Sequence, residues 1–378
     1  MRKSAGMFVL LSLLLCLIAC GSSSSGGGTN PAQPTEFLFG ASDVSAFSIN
    51  TQTGALTKTS SIAGYRNGFG IVATPSVTFL YTDDVGNGGI DGFSISSSGV
   101  LSTISGSPFP MPSGWNTLSV DSIAMDPAGK FLYVPDATSN DVVGFIIDGT
   151  TGALTPMSAS PFPTGASPQE AVVTPSGQFL YVSDINDPQG GISAFTIDSS
   201  TGALTSIAGS PFPTVAGGSP DGLVVDSSGK FLYAALSLDN SVAAFTINSN
   251  TGVLTAVAGS PFSPNLAGAY PIIYSIALHP SGKFLYAQGS LNGEIYGFTV
   301  DLSSGALASM TGSPFNRYGA STFMNNIVVD PAGKFLYVGS TTGSLFYLSI
   351  DQTTGALTFV PSSSFIGYSR SLAVAKVP

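Results

Sequence analysis

From about position 35 onward, short apolar runs follow one another along the whole chain, each stopped by Gly, Pro, Asn or Asp. No run keeps helical spacing over ten or more residues, so the pattern predicts strands throughout. The stretch from Ser122 shows the unit. SIAM (Ser122–Met125), KFLYV (Lys130–Val134), VVGFII (Val142–Ile147) and ALTPM (Ala153–Met157) are strand-like in length and residue type. Pro-Ala-Gly, a polar run and Thr-Gly separate them, and these are turn residues.

The unit repeats. Phe-Leu-Tyr begins at Phe79, Phe131, Phe179, Phe231, Phe284 and Phe335, and a variant, Phe37-Leu38-Phe39, stands at the start; the spacing is 42 to 53 residues. Thr-Gly-Ala-Leu or a close variant recurs around Gly54, Gly99, Gly152, Gly202, Gly252, Gly305 and Gly355, and Ser-Pro-Phe begins at Ser107, Ser160, Ser210, Ser260 and Ser313. The nonapeptide DPAGKFLYV is even copied unchanged, at Asp126–Val134 and Asp330–Val338. Four strands per period of about 50 residues define a β-propeller blade. The chain opens on a second-strand segment, Glu36–Gly40, and closes on an unpaired first-strand segment, Ser371–Ala375. Together they make one composite blade. The expected fold is therefore all-β: a seven-bladed β-propeller, four antiparallel strands per blade, over residues 35–378.

Composition changes the picture at the N-terminus. Arg2 and Lys3 precede an apolar run, Met7–Ala19, that has the length of a signal peptide and is short for a membrane span. It ends Leu17-Ile18-Ala19-Cys20-Gly21, which resembles the lipobox of bacterial lipoproteins. Residues 1–19 are read as a signal peptide, Cys20 as the lipidated first residue, and 20–34, rich in Ser and Gly, as a flexible tether. The expected location is the bacterial cell envelope, periplasmic or cell-surface side, with membrane attachment through the lipid. Both cysteines, Cys16 and Cys20, fall here, which leaves the propeller without a disulfide or thiol nucleophile. Charged residues make up 8% of the chain, about a third of the usual share. With Arg2 and Lys3 set aside, nine basic residues face 21 acidic ones, a formal charge of −12. Nucleic acid is excluded as a partner on charge, and a monomer is expected.

The pattern P-x-G-K-F-L-Y-V followed by x-F-x-I-D-x-x-T-G-A-L-T resembles the seven-bladed propeller lactonase family, which includes 6-phosphogluconolactonase-like and muconate-lactonizing-like proteins. The resemblance implies the fold and a small-molecule lactone as substrate. In propellers the first strand lines the central channel, and ligands meet the face carrying the links into that strand. Ten residues before each Phe marker stand Phe69, Asp121, Gln169, Asp221, Tyr274 and Asn325, with Arg370 at the equivalent place in the closing blade and Glu170 next to Gln169. Phe69 apart, these positions are polar, and they are unlike one another, whereas scaffold positions repeat. Arg66, Arg317 and Arg370 each precede a first strand in neighbouring blades, and arginine forks suit a carboxylate or phosphate.

From this set Glu170 or Asp221 is the candidate general base, with Arg370 the catalytic anion holder. Arg66, Arg317, Asp121, Gln169, Tyr274, Asn325 and Trp115 are candidate substrate contacts. His279, the lone histidine, occupies the turn position held elsewhere by Asp126, Thr174, Asp226 and Asp330, and reads as structural. No cofactor is implied and no metal is assigned. Asp83, Asp84, Asn87 and Asp91, and likewise Asp184, Asn186 and Asp187, form acidic loops of a kind calcium uses, without EF-hand spacing. Two functions stay open: an exported lactonase-like hydrolase, or a non-catalytic envelope lipoprotein whose propeller binds a carbohydrate, peptide or partner protein. Replacing Cys20→Ser is expected to abolish lipid labelling and move the chain from the membrane to the soluble fraction, read by fractionation and palmitate incorporation.

Overall fold

The computed structural model describes residues 35–41, 43–62, 68–84, 88–111, 123–186, 190–214, 218–264, 272–289, 293–315, 324–340, 344–360, 365–366 and 371–378. Cys20, Arg66, Trp115, Asp121, Arg317 and Arg370 lie outside these residues. Every regular element described is a strand. The strands form seven antiparallel sheets arranged in a ring, a seven-bladed β-propeller.

The composite blade joins an inner strand from the C-terminus, Leu372–Lys376, to Glu36–Gly40, Ser45–Ile49 and Leu56–Ser61. Glu36 stands opposite Lys376, and Gly40 opposite Leu372. Six further blades follow in chain order. Their inner strands begin at Ile71, Ala124, Pro168, Pro220, Ile273 and Met324, and their second strands begin at the Phe markers. Inner strands of successive blades pack side by side around the axis.

Each turn before a second strand is capped from within. In blade two, Asp126 Oδ1 accepts the backbone N–H groups of Lys130 and Phe131, both at 2.6 Å. Asp226 does the same in blade four, and Thr174 takes the Phe179 N–H in blade three. The Asp of DPAGKFLYV is thus a turn cap; its Lys is exposed in the first copy, Lys130, and in the second Lys334 Nζ donates to the Thr51 carbonyl at 3.3 Å.

The core lies between blades. Each of the seven clusters of buried apolar side chains draws on two adjacent blades; Phe79 and Tyr81 of blade one, for example, pack with Leu132, Val134 and Phe145 of blade two. A second interaction locks each junction. The glycine of the Thr-Gly turn sits beneath the Phe that opens the preceding blade's second strand. A Cβ on Gly152 would come within 2.6 Å of the Phe79 ring, and on Gly252 within 2.6 Å of Phe179; both glycines have φ above +70°. The tyrosine two residues on from each Phe then donates to that glycine's carbonyl. Tyr81 bonds Gly152, Tyr133 Gly202, Tyr181 Gly252, Tyr233 Gly305, Tyr286 Gly355 and Tyr337 Gly54, over 2.7 to 3.1 Å. The composite blade has Phe39 in place of a tyrosine. Its outer strand supplies the missing bond instead: Thr59 Oγ1 donates to the Gly99 carbonyl at 2.9 Å.

The structure adds one element to the expected four strands. Outer strands of the six non-composite blades span three residues, as Leu154–Pro156 does. Beyond the first five of them the Ser-Pro-Phe segment folds back, and in blades one, two and three its Phe-Pro dipeptide pairs with the start of the third strand, as Phe365–Ile366 does in blade six. The marker serine accepts the third-strand N–H that the short outer strand does not reach: Gly92 on Ser107, Gly144 on Ser160, Ala194 on Ser210, Ala244 on Ser260 and Gly297 on Ser313. Leaving such a buried N–H without an acceptor would cost about 1–3 kcal/mol.

Two substitutions test the junction. Gly252→Ala forces a Cβ into the Phe179 ring at a left-handed backbone and is expected to cost about 2–4 kcal/mol. Tyr181→Phe, which orphans the Gly252 carbonyl, is expected to cost about 1–2 kcal/mol. Denaturant unfolding followed by tyrosine fluorescence reads both.

Candidate functional site

The inner strands do not run regularly into the mouth. Between Pro168 and Ala171 the pairing with the second strand slips by one residue, and it slips again between Pro220 and Leu223, Ile273 and Ser275, and Met324 and Asn326. Four consecutive blades, three to six, therefore carry a β-bulge at the same height. The bulged residues are Gln169 and Glu170, Asp221 and Gly222, Tyr274, and Asn325. These are the unlike residues found by counting back from the Phe markers. A bulge turns a side chain out of the regular alternation and is common beside binding sites.

Within this arc Gln169 and Asp221 are buried, Glu170 is half-buried, and Tyr274 is 43% exposed. The inner strands of blades four and five come so close that a Cβ on Gly222 would lie 2.5 Å from the Tyr274 carbonyl oxygen. Glycine at that place lets Asp221 and Tyr274 stand in adjoining strands. Ser183, wholly buried on the second strand of blade three, faces the first bulge. Its hydroxyl accepts the Glu170 N–H at 3.0 Å and donates to the Asp221 carbonyl at 2.8 Å. In blade one the same position is Asp83, whose Oδ1 accepts the N–H groups of Phe69 and Gly70, each at 2.7 Å. Sequence reasoning passed over this fifth position of the second strand. Its signal was available: behind a constant Phe-Leu-Tyr it reads Asp83, Pro135, Ser183, Ala235, Gln288 and Gly339.

His279 lies on the opposite face, in the turn before the second strand of blade five. Its Nδ1 accepts the Ser281 N–H at 3.1 Å, and its Nε2–H donates to the Gly333 carbonyl of blade six at 2.8 Å. Both ring nitrogens are committed to holding two turns together.

Carboxylates are buried farther out on the mouth face. Asp91 is fully buried; burial, and then the neighbouring Asp84 carboxylate, pushes its pKa up to about 7. Burial, followed by Asp136, raises Asp141 to about 6. The repeat explains the first pair. Blade three has Asp184 where blade one has Asp84 and Ser193 where it has Asp91, and the Ser193 hydroxyl donates to Asp184 at 2.7 Å. In blade one the corresponding carboxylate, Asp91, accepts instead from the Ser107 hydroxyl at 3.1 Å, and burial favours its neutral form. Among the described residues no three His, Cys, Asp or Glu side chains converge as a metal site; Asn87 and Asp187 of the acidic loops lie outside them.

A family profile described as "Lactonase, 7-bladed beta-propeller" matches residues 156–266 and 275–376, more than half of the chain. The chain belongs to the seven-bladed β-propeller lactonase family. Solved structures agree on the fold. A candidate 6-phosphogluconolactonase from Bacteroides uniformis superposes with a TM-score of 0.75 at 18% identity, covering 91% of this chain and 100% of its own. One from Bacteroides fragilis gives 0.74 at 21% identity, covering 92% and 99%. The Pseudomonas aeruginosa periplasmic gluconolactonase gives 0.72 at 19%, covering 91% and 99%. A search of curated protein sequences finds no match.

Asp91 makes stability depend on pH. In the folded chain it holds its proton to about pH 7, whereas an aspartate in the unfolded chain loses it near 3.8. The folded state binds more protons between those values, so stability falls as pH rises through them and the contribution is gone above about 7. The melting temperature is expected to drop from pH 5 to pH 8, and Asp91→Ser, which copies Ser193, to flatten that slope. Calorimetry at matched ionic strength reads it.

Proposed function

We propose that this propeller is an exported, lipid-anchored lactone hydrolase that opens a small sugar-derived or acidic lactone at the mouth. Family membership supports lactone chemistry. One geometric observation carries the site: Glu170 and Asp221 stand at matching bulges of adjacent blades, with their backbones joined through the Ser183 hydroxyl.

In this reading Glu170 or Asp221 takes a proton from water as the oxygen attacks the lactone carbonyl. The tetrahedral intermediate collapses, the ring C–O bond breaks, and the ring oxygen leaves as a hydroxyl after receiving a proton. The product is a hydroxy acid. Arg370 and Arg66 would hold an acidic substituent and offset the charge growing on the carbonyl oxygen, with Arg317 in the neighbouring sector. Tyr274, exposed beside Asp221, offers a ring face and a hydroxyl; Gln169, Asp121, Asn325 and Trp115 complete the proposed contacts. Export favours an unphosphorylated aldonolactone over a phosphorylated sugar lactone, because the latter belongs to the cytosol. A lactonase from Pseudomonas aeruginosa with this fold is itself described as periplasmic.

The purified protein is expected to hydrolyse aldonolactones or muconolactones above the buffer rate. Glu170→Gln or Asp221→Asn should lower kcat by about 10²–10⁴, as expected for loss of a general base, and Arg370→Ala should lower kcat/KM. Rates unchanged in all three variants would reject the assignment. No turnover on any lactone, with saturable binding of a carbohydrate or peptide, would instead favour the non-catalytic lipoprotein.

A further inference from the structure

Ser183 raises a question that the blade fold does not answer. Its place in the second strand is taken by Ala235 in blade four and Gly339 in blade six, and those blades pair their inner and second strands with the same bulge. A blade therefore does not need a hydroxyl there. Blade three has one, fully buried, and both of its hydrogen-bonding capacities are turned toward the mouth. It accepts the N–H of Glu170, in its own blade. It gives its proton to the carbonyl of Asp221, in the next blade, at 2.8 Å, in preference to the Glu170 carbonyl at 3.5 Å.

We infer that Ser183 is a positioning residue whose hydroxyl sets the separation of Glu170 and Asp221 across the junction of blades three and four. This rests on the reading of those two acids as the working groups. The physical reason lies in the bulges. A bulged residue is released from the regular ladder, so its N–H is not held by the regular backbone pairing alone. Without a substitute acceptor the Glu170 backbone can rotate, and the side chain moves with it. Ser183 supplies the acceptor, and its own proton ties the arrangement to the equivalent bulge next door. One hydroxyl thus couples two inner strands that belong to different sheets. A displacement of about 1 Å in a catalytic group can cost about 10²-fold in rate.

The support continues outward. The link into the inner strand of blade three passes Gly165, whose N–H donates to the Ser193 hydroxyl at 2.9 Å, and Ser193 in turn donates to Asp184. A Cβ on Gly165 would fall 2.6 Å from Asp184 Oδ2. The segment delivering Gln169 and Glu170 is therefore held at two places by buried hydroxyls of the same blade. Asp83 shows that the position can serve this end with other chemistry, since it fixes the inner strand of blade one through Phe69 and Gly70.

Three proteins test the inference: the intact wild type, Ser183→Ala and Ser183→Thr. The alanine variant should fold, because blade four carries alanine there, and its melting temperature should stay within about 3 °C of wild type. On a lactone that the wild type hydrolyses, its kcat should fall at least about 10-fold with KM changed less than about 3-fold, and the acid limb of its pH–rate profile should move. Threonine keeps the hydroxyl, and the equivalent place accepts the larger Asp83 and Gln288, so it should restore kcat to within about 3-fold of wild type. An unchanged kcat and pH profile in the alanine variant would overturn the inference, as would a threonine variant as impaired as alanine. If the wild type opens no lactone, the lactonase reading fails, and amide hydrogen exchange then decides this one separately. Exchange at the Glu170 amide at least about 10-fold faster in Ser183→Ala, with Val172 and Val173 unaffected, supports the coupling; equal exchange rejects it.

Discussion

Everything in this molecule depends on the contact between a glycine in one blade and an aromatic pair in the blade before it. A blade is a sheet with two apolar faces, and alone it would leave both in water. The seven clusters of buried side chains exist because each sheet is pressed onto the next. The glycine sets how close that approach can be, since the Phe ring occupies the volume of the missing Cβ. The tyrosine sets the lateral position, since its hydroxyl must find one carbonyl. Both residues sit on the second strand, which is why Phe-Leu-Tyr and Thr-Gly recur together and why a nonapeptide survives unchanged in two blades.

The fold was legible because the interaction that builds it is repeated. Four apolar segments, two kinds of turn and a split unit at the termini gave the blade count, and the closure through Glu36–Gly40 and Leu372–Lys376 follows that reading. The mouth was legible in a different way. Gln169, Glu170, Asp221, Tyr274 and Asn325 stood out by failing to repeat, and each turns out to lie at a break in strand pairing. The break itself was hidden, because a one-residue slip leaves no mark when the flanking residues stay apolar. Ser183 escaped notice for a related reason. A serine inside an apolar strand reads as a tolerated substitution until the partner of its hydroxyl is known. The serine of Ser-Pro-Phe and the threonine that replaces a tyrosine at the closing junction were similarly unreadable, because both roles concern backbone groups distant in sequence.

The acidic character of the chain also acquires a geography. Lys130, Lys230, Lys283 and Lys334 sit in the turns of one face, beside the buried aspartate and histidine caps. The bulged acids and the pairs Asp84–Asp91, buried, and Asp136–Asp141, half-buried at Asp141, lie toward the other. Along the mouth face Asp184 accepts from a hydroxyl and Asp83 from backbone N–H groups, while burial shifts Asp91 and Asp141 toward their neutral forms. That is a low-charge solution to burying acids, consistent with a chain in which only 8% of residues are charged.

The rim is where seven sheets end, and a sheet that ends exposes unsatisfied backbone to any neighbour able to zipper onto it. Six blades leave little to grip: an outer strand of three residues, followed by a segment that doubles back over the next stretch. The composite blade differs. Its outer strand, Leu56–Ser61, is twice as long. It is instead kinked by a register shift opposite Ala46 and Phe47 and carries Lys58, paired with Asp43 at 3.6 Å. A bulge and a lysine are the devices by which a long border strand is made a poor template. At high concentration, two such propellers can touch edge to edge without fusing into a continuous sheet.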